Sequence, residues 1–158
     1  MVDVYIAGSL RHTSREWWKT YEKIGEKIQE LGLKPYIPHI HTIKEVNQSI
    51  EDIHNPNLSL KLREVVFRKN LEIIKKSKLI VAEVSNPSTG TGVEIGFALF
   101  FKKPIVCLAK KGVDISSMVL GPVNSGLIDL IRYENLEDGL EELKVLIKNK
   151  FKNIISSV

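Results

Sequence analysis

An α/β fold, a doubly wound sheet of five parallel strands, is what this sequence predicts, and two of its features carry the prediction. Short apolar runs at residues 2–7, 33–37, 79–84, 105–109 and 127–131 alternate with longer segments of helical periodicity. That alternation is the pattern of parallel strands joined by right-handed helical crossovers, with the first strand expected at the centre. The 158 residues fit one domain, 1–158, of a size that buries roughly 68–70% of its unfolded surface.

Composition narrows the function classes. With 43% hydrophobic and 27% charged residues the chain reads as an ordinary soluble globular protein. The net charge of +4 suits an anionic ligand. Its lysines are spread over helix surfaces and crowd the last helix, with no arginine-rich patch, so nucleic acid is not indicated as a partner. Cys107 is the single cysteine, which excludes a disulfide framework and a thiolate metal cluster and fits a reducing cytoplasm. The chain opens directly on a strand and no apolar run reaches ~18 residues, so neither a signal peptide nor a membrane span is expected.

The elements follow in order. The first strand ends in Gly8-Ser9-Leu10-Arg11, a turn suited to a ligand edge. A helix comes next: Thr13 and Glu16 have capping-box spacing, Trp17, Tyr21, Ile24, Ile28 and Leu31 recur at helical steps, and Gly32 stops it. The second strand, 33–37, is closed by Pro38. Residues 38–57 hold three histidines and a short helix around 43–53, and a connection of this length is often a lid. His39 and His41 lack a third ligand at sensible spacing, so no metal is expected, and His39 is placed to line a pocket.

On a helical wheel, residues 60–76 set Leu60, Leu62, Val66, Phe67, Leu71, Ile73 and Ile74 on one arc with Arg63 and Asn70 near its middle. A polar residue there must be hydrogen-bonded or face a cavity, because burying it unpaired costs roughly 1–3 kcal/mol. Asn70 is open to both readings. Further on, 110–126 reads as a loop, 127–131 as the fifth strand, and the last helix starts at the Asn135 cap with Asp138 three residues later. Leu136, Leu140, Leu143, Ile147, Phe151 and Ile154 mark its buried stripe. The whole is a Rossmann-like or flavodoxin-like sheet, whose ligands bind beyond the carboxyl ends of the strands at the switch point.

That switch point brings together residues 8–11 and 85–94. Between the strand at 79–84 and the next helix lie Ser85-Asn86-Pro87-Ser88-Thr89-Gly90-Thr91-Gly92, a turn able to point backbone N–H groups and a helix dipole at an anion. Glu94 follows, with two readings. It is either the partner of Thr91 in a capping box or a nucleophilic carboxylate beside the anion cradle, ionised near the ordinary glutamate value of about 4.3. Gly92 and Gly96 share a helix face that lets sheet or ligand approach. There is no Gly-x-Gly-x-x-Gly and no Gly-Lys-Ser/Thr loop, which disfavours a dinucleotide enzyme or an ATPase.

Three stretches together carry a resemblance: Val4-Tyr5-Ile6-Ala7-Gly8-Ser9-Leu10-Arg11, Asn70-Leu71 ahead of the third strand, and Pro87-Ser88-Thr89-Gly90-Thr91-Gly92-Val93-Glu94-Ile95-Gly96. Over nearly its whole length the chain resembles the nucleoside 2-deoxyribosyltransferase superfamily, and within it the 2'-deoxynucleoside 5'-phosphate N-hydrolases. Ser88 stands where the transferases acting on free nucleosides carry aspartate, and Ser116, followed by Met118, matches that subfamily's phosphate-binding serine.

The resemblance implies hydrolysis of the N-glycosidic bond of (2'-deoxy)nucleoside 5'-monophosphates. Glu94 would be the nucleophile and Tyr5 would position it. Gly8, Ser9 and Arg11 would bind substrate, while Ser88, Gly90 and Ser116 would take the 5'-phosphate, with Met118 beside them. A homodimer is implied, with Ser116 reaching the neighbouring subunit's site, and no cofactor or metal is needed. Asn70 departs from the family, which has an aspartate there that assists sugar and leaving base. Base exchange, or a nucleotide-binding module with weak catalysis, are the alternative functions.

Overall fold

The computed structural model describes residues 2–11 and 13–155. Strands β1 (Val4–Ala7), β2 (Pro35–Tyr36), β3 (Leu79–Glu83), β4 (Ile105–Lys110) and β5 (Asp129–Tyr133) form one all-parallel sheet in the order β2-β1-β3-β4-β5. Helices α1 (Arg15–Glu30), α2 (Pro38–Glu45), α3 (Ile50–His54), α4 (Leu60–Lys76), α5 (Thr89–Phe100), α6 (Ser117–Asn124), α7 (Leu136–Lys150) and α8 (Lys152–Ile155) complete the described chain. The centre of the sheet is β3, not the first strand. The winding reverses between β1 and β3, and this is the switch point.

Two cores flank the sheet, and the period of two along each strand sorts side chains between them. Val4, Ile6, Leu79 and Val81 pack with α1 and α7. Tyr5, Ala7, Ile80 and Ala82 face α4, α5 and α6. This parity decides that Tyr5 looks toward the helix that carries Glu94. Cys107 is fully buried in the second core, as its strand position predicts.

Several boundaries differ from the sequence reading, each for a local reason. The cap of α1 is Ser14, not Thr13, whose hydroxyl donates instead to the Ser9 carbonyl at 3.0 Å. Strand β2 is only two residues long, and Pro38 opens α2 at once, as its fixed φ and missing N–H allow at a first helical position. The helix expected over 43–53 is split in two, because Asn47 takes a positive φ of 52° between α2 and α3. The expected loop 110–126 contains α6, capped by Ser116 and anchored by Ile115 and Val119. Strand β5 starts at Asp129, two residues late, since the Leu127 and Ile128 N–H groups close the end of α6 on the Pro122 carbonyl. The apolar arc of α4 is only partly covered: Ile73 and Ile74 are buried, but Leu60 is 84% exposed and Phe67 47%.

Gly8 ends β1 under a strict limit. A Cβ built there would sit 2.4 Å from the Tyr21 ring, whose hydroxyl is tied to the Ser9 carbonyl at 2.8 Å. The ring has nowhere to retreat, so Gly8→Ala should destabilise the fold by about 1–3 kcal/mol through overpacking, read as a lowered midpoint in thermal or urea unfolding. An unchanged midpoint would mean that the Tyr21 ring yields freely.

Candidate active site

Beyond the carboxyl ends of β1 and β3 lies a cavity of about 550 Å³. Its walls include Gly8, Ser9 and Arg11 from the first turn, His39 from α2, Asn70 from α4, and Ser88, Gly90 and Glu94 from α5 and its cap. Eight of the residues singled out in the sequence therefore meet in one place.

Helix α5 begins at Thr89, with the Ser88 hydroxyl as cap accepting from Thr91 N at 3.2 Å. The Thr91–Glu94 capping box therefore does not form: Thr91 is already in the first turn, and its buried hydroxyl has no partner among the described residues. Glu94 falls in the second turn. It shares a helix face with Thr91 and Gly90, three and four residues back. The N–H groups of Thr89 and Gly90 are first-turn donors without an intrahelical acceptor.

Glu94 is held from the sheet. The Tyr5 hydroxyl donates to its Oε1 at 2.5 Å. Burial pushes the Glu94 carboxyl up to about 7, and the Tyr5 hydrogen bond pulls the other way. The ordinary glutamate value expected from sequence is thus corrected, because the dipole effect fades beyond the first helical turn and desolvation prevails. Burial, then the charge of Glu94, hold the Tyr5 hydroxyl well above its usual range, so Tyr5 stays a donor.

Around this pair the walls are built from hydrogen-bonded side chains. Asn70 Oδ1 accepts the Thr42 hydroxyl at 2.6 Å, and Asn70 also lines the cavity, so it is hydrogen-bonded and faces a cavity at once. His39 is 7% exposed, with Nε2 3.1 Å from Glu22 Oε1 and Nδ1 without a partner among the described residues. Burial holds its imidazole below the usual value, against the pull of Glu22. Arg11 approaches the Ile53 carbonyl at 3.5 Å, while Arg63 donates to the carbonyls of Asn55, Pro56 and Leu58 at 3.0–3.1 Å. Both cations thus brace the 50–58 segment at the cavity mouth.

The sequence reading missed Glu83, at the end of β3 and fully buried. It accepts from the Ser85 hydroxyl, from Ser85 N at 3.2 Å and from the Tyr133 hydroxyl at 3.1 Å, and the Ser85 hydroxyl accepts from Lys110 N at 2.8 Å. A charge closing an apolar strand was the available signal. Thr42, Tyr36 and Glu22 gave none, since their partners lie on other elements.

Ser116 and Met118 do not reach this cavity within the chain. They line a second one, of about 460 Å³, on the other flank of the 85–91 turn, with Ser88 and Thr91 in the wall between the two. Gly92 and Gly96 face this second cavity and not the sheet: each is exposed, and a Cβ on either would meet nothing within 4 Å.

The chain is similar to known proteins in sequence and in fold. The model of the nucleoside 2-deoxyribosyltransferase family matches residues 4–142. A Methanosarcina mazei protein named, by inference, 2'-deoxynucleoside 5'-phosphate N-hydrolase 1 is 32% identical over 118 residues, covering 75% of this chain and 67% of that protein. The 5-hydroxymethyl-dUMP N-hydrolase of Esox lucius is 26% identical over 155 residues, 96% of this chain and 97% of that protein. Among solved structures, the Clostridium botulinum CMP N-glycosidase BcmB superposes with a TM-score of 0.64 at 19% identity, over 89% of this chain and 97% of the other, a likeness of fold.

The Glu94 environment makes a direct prediction. A carboxyl-carbon NMR titration should place its midpoint near pH 7. Tyr5→Phe removes the hydrogen bond that favours the ionised form, so the midpoint should move upward. A midpoint near the ordinary value of about 4.3 would mean that Glu94 is well solvated.

Proposed function

Because the chain belongs to the nucleoside 2-deoxyribosyltransferase family, we propose that it is an N-glycosidase that hydrolyses (2'-deoxy)nucleoside 5'-monophosphates to free base and (deoxy)ribose 5-phosphate. The observation that carries the reading is a half-buried carboxylate, Glu94, gripped on one oxygen by Tyr5 and set beside the open N-terminal turn of α5. The names of the Methanosarcina and Esox relatives support the same reaction class.

Tyr5 occupies Oε1, and the other carboxylate oxygen attacks C1' as the C1'–N bond breaks. The transition state is oxocarbenium-like, and water then resolves the covalent glycosyl-Glu94 ester with retention, as in retaining glycosidases. The Ser88 hydroxyl and the first-turn N–H groups near Gly90 receive the 5'-phosphate, whose charge they must offset because it would otherwise raise Glu94 further. Gly8, Ser9 and Arg11 border the sugar and phosphate, and His39 the base. Ser116 comes from a second copy of the chain. Met118 beside it, 81% exposed, supports that homodimer.

One assay separates this from its alternatives. Monophosphates and free nucleosides are incubated with and without an added base, and base release is followed. Release without acceptor is expected; exchange only would indicate a transferase, and binding without turnover a module.

Glu94→Gln keeps the shape and loses the charge, so turnover should fall more than tenfold; a smaller loss, below about 1.4 kcal/mol in barrier, would put the nucleophile elsewhere. Ser88→Ala and Ser116→Ala should each weaken use of monophosphates while sparing free nucleosides. Equal activity on both substrate classes in the wild type, or full activity of a monomer in the case of Ser116, would overturn the phosphate assignment.

A further inference from the structure

Residue 70 is oriented by its neighbours. Asn70 receives the Thr42 hydroxyl on its carbonyl oxygen at 2.6 Å. Thr42 is 2% exposed, and its oxygen lies 2.9 Å from the Tyr36 hydroxyl. A hydroxyl has one proton to give. With that of Thr42 given to Asn70, Tyr36 is the donor in the other pair, and the relay runs one way, from Tyr36 through Thr42 to Asn70. Since Asn70 lines the Glu94 cavity with its carbonyl turned to Thr42, the group it offers there is its amide N–H pair.

We propose that Thr42, steered by Tyr36, is a positioning residue that aims the Asn70 amide N–H groups at a hydrogen-bond acceptor of the departing base, so that residue 70 stabilises the base as it leaves without giving it a proton. The inference rests on the hydrolase reading above and deepens it. As the Glu94 oxygen bonds to C1', the electron pair of the C1'–N bond leaves with the base and spreads onto the ring acceptor beside that nitrogen. The Asn70 donors stabilise the charge there. The water that cleaves the glycosyl ester leaves its hydroxyl on C1' and its proton, through solvent, on the base, and Glu94 returns as a carboxylate.

An amide cannot supply a titrating proton, whereas it can grip an acceptor with fixed geometry. The same Tyr36 ring stacks on Tyr5 with centroids 5.9 Å apart and planes at 14°. One side chain therefore sets both the arm that holds the nucleophile and the arm that holds residue 70. Ring and hydroxyl are separable by mutation.

The test measures kcat and KM on 2'-deoxyuridine 5'-monophosphate and on its 2-thio analogue, whose sulfur is the weaker acceptor. Thr42→Ser should stay within about twofold of wild type, while Thr42→Val should lower kcat about tenfold or more with KM changed by less than about threefold. The pair Thr42→Val with Tyr36→Phe removes both hydroxyls, leaves neither orphaned, and should show the same kcat loss. In an Asn70→Ala background Thr42→Val should change kcat by less than about twofold, because the interaction it serves is gone. The wild-type preference for the 2-oxo over the 2-thio substrate should shrink in Thr42→Val. A loss of equal size in the Asn70→Ala background, no loss with Asn70 present, or an unaltered 2-oxo to 2-thio ratio overturns the proposal. A wild-type chain that releases no base overturns the hydrolase reading separately. The side-chain NH2 resonances of Asn70, followed as the same two monophosphates bind, then decide this one: they should shift in the wild type and less in Thr42→Val, and an equal shift in both counts against it.

Discussion

Tyr5 and Glu94 are 89 residues apart in the chain, and the hydrogen bond between them is the contact on which the site depends. Tyr5 is fully buried and stacked on Tyr36, its parallel neighbour in β2, so its hydroxyl has little freedom. Helix α5 is fixed in turn by Ile95 and Ala98 against the second core. The carboxylate is thereby held from a strand while being presented by a helix. This rigidity is what preorganisation of a reacting group requires.

Two glutamates, Glu83 buried and Glu94 half-buried, sit in contrasting environments. Glu83 accepts three hydrogen bonds, from Ser85 twice and from Tyr133, and joins the ends of β3 and β5 to the turn that leads to Ser88. Glu94 receives a single donor among the described residues, Tyr5, and lines the cavity. Burial raises both, but only Glu94 keeps a carboxylate oxygen free for chemistry. A carboxyl near 7 changes its protonation state close to neutral pH.

The segment between β2 and α4 borders the cavity with short helices and not with a coil. It is braced by side chains from elsewhere: Arg11 and Arg63 hold its backbone carbonyls, and Glu22 engages His39. From within, Thr42 reaches Asn70. Binding residues on connections between rigid elements are the usual arrangement in open α/β sheets.

The sequence by itself determined the architecture, because apolar strands alternating with amphipathic helices leave few ways to bury both faces of a parallel sheet. It also marked the turn at 85–91 and singled out Glu94 and Asn70, since polar residues beside glycines or on an apolar arc call for a partner or a cavity. What it could not determine were relations between elements. The cap of α5 moved from Thr91 to Ser88, and with it Glu94 passed from the first helical turn to the second, where desolvation outweighs the dipole. The partners Tyr36, Thr42 and Glu22, and the separation of Ser116 from the Glu94 cavity, follow from which strand parity and which helix face happen to meet. Periodicity fixes a residue's face on its own element; only packing decides what that face touches, because side-chain distances are set by the relative placement of elements far apart in the chain.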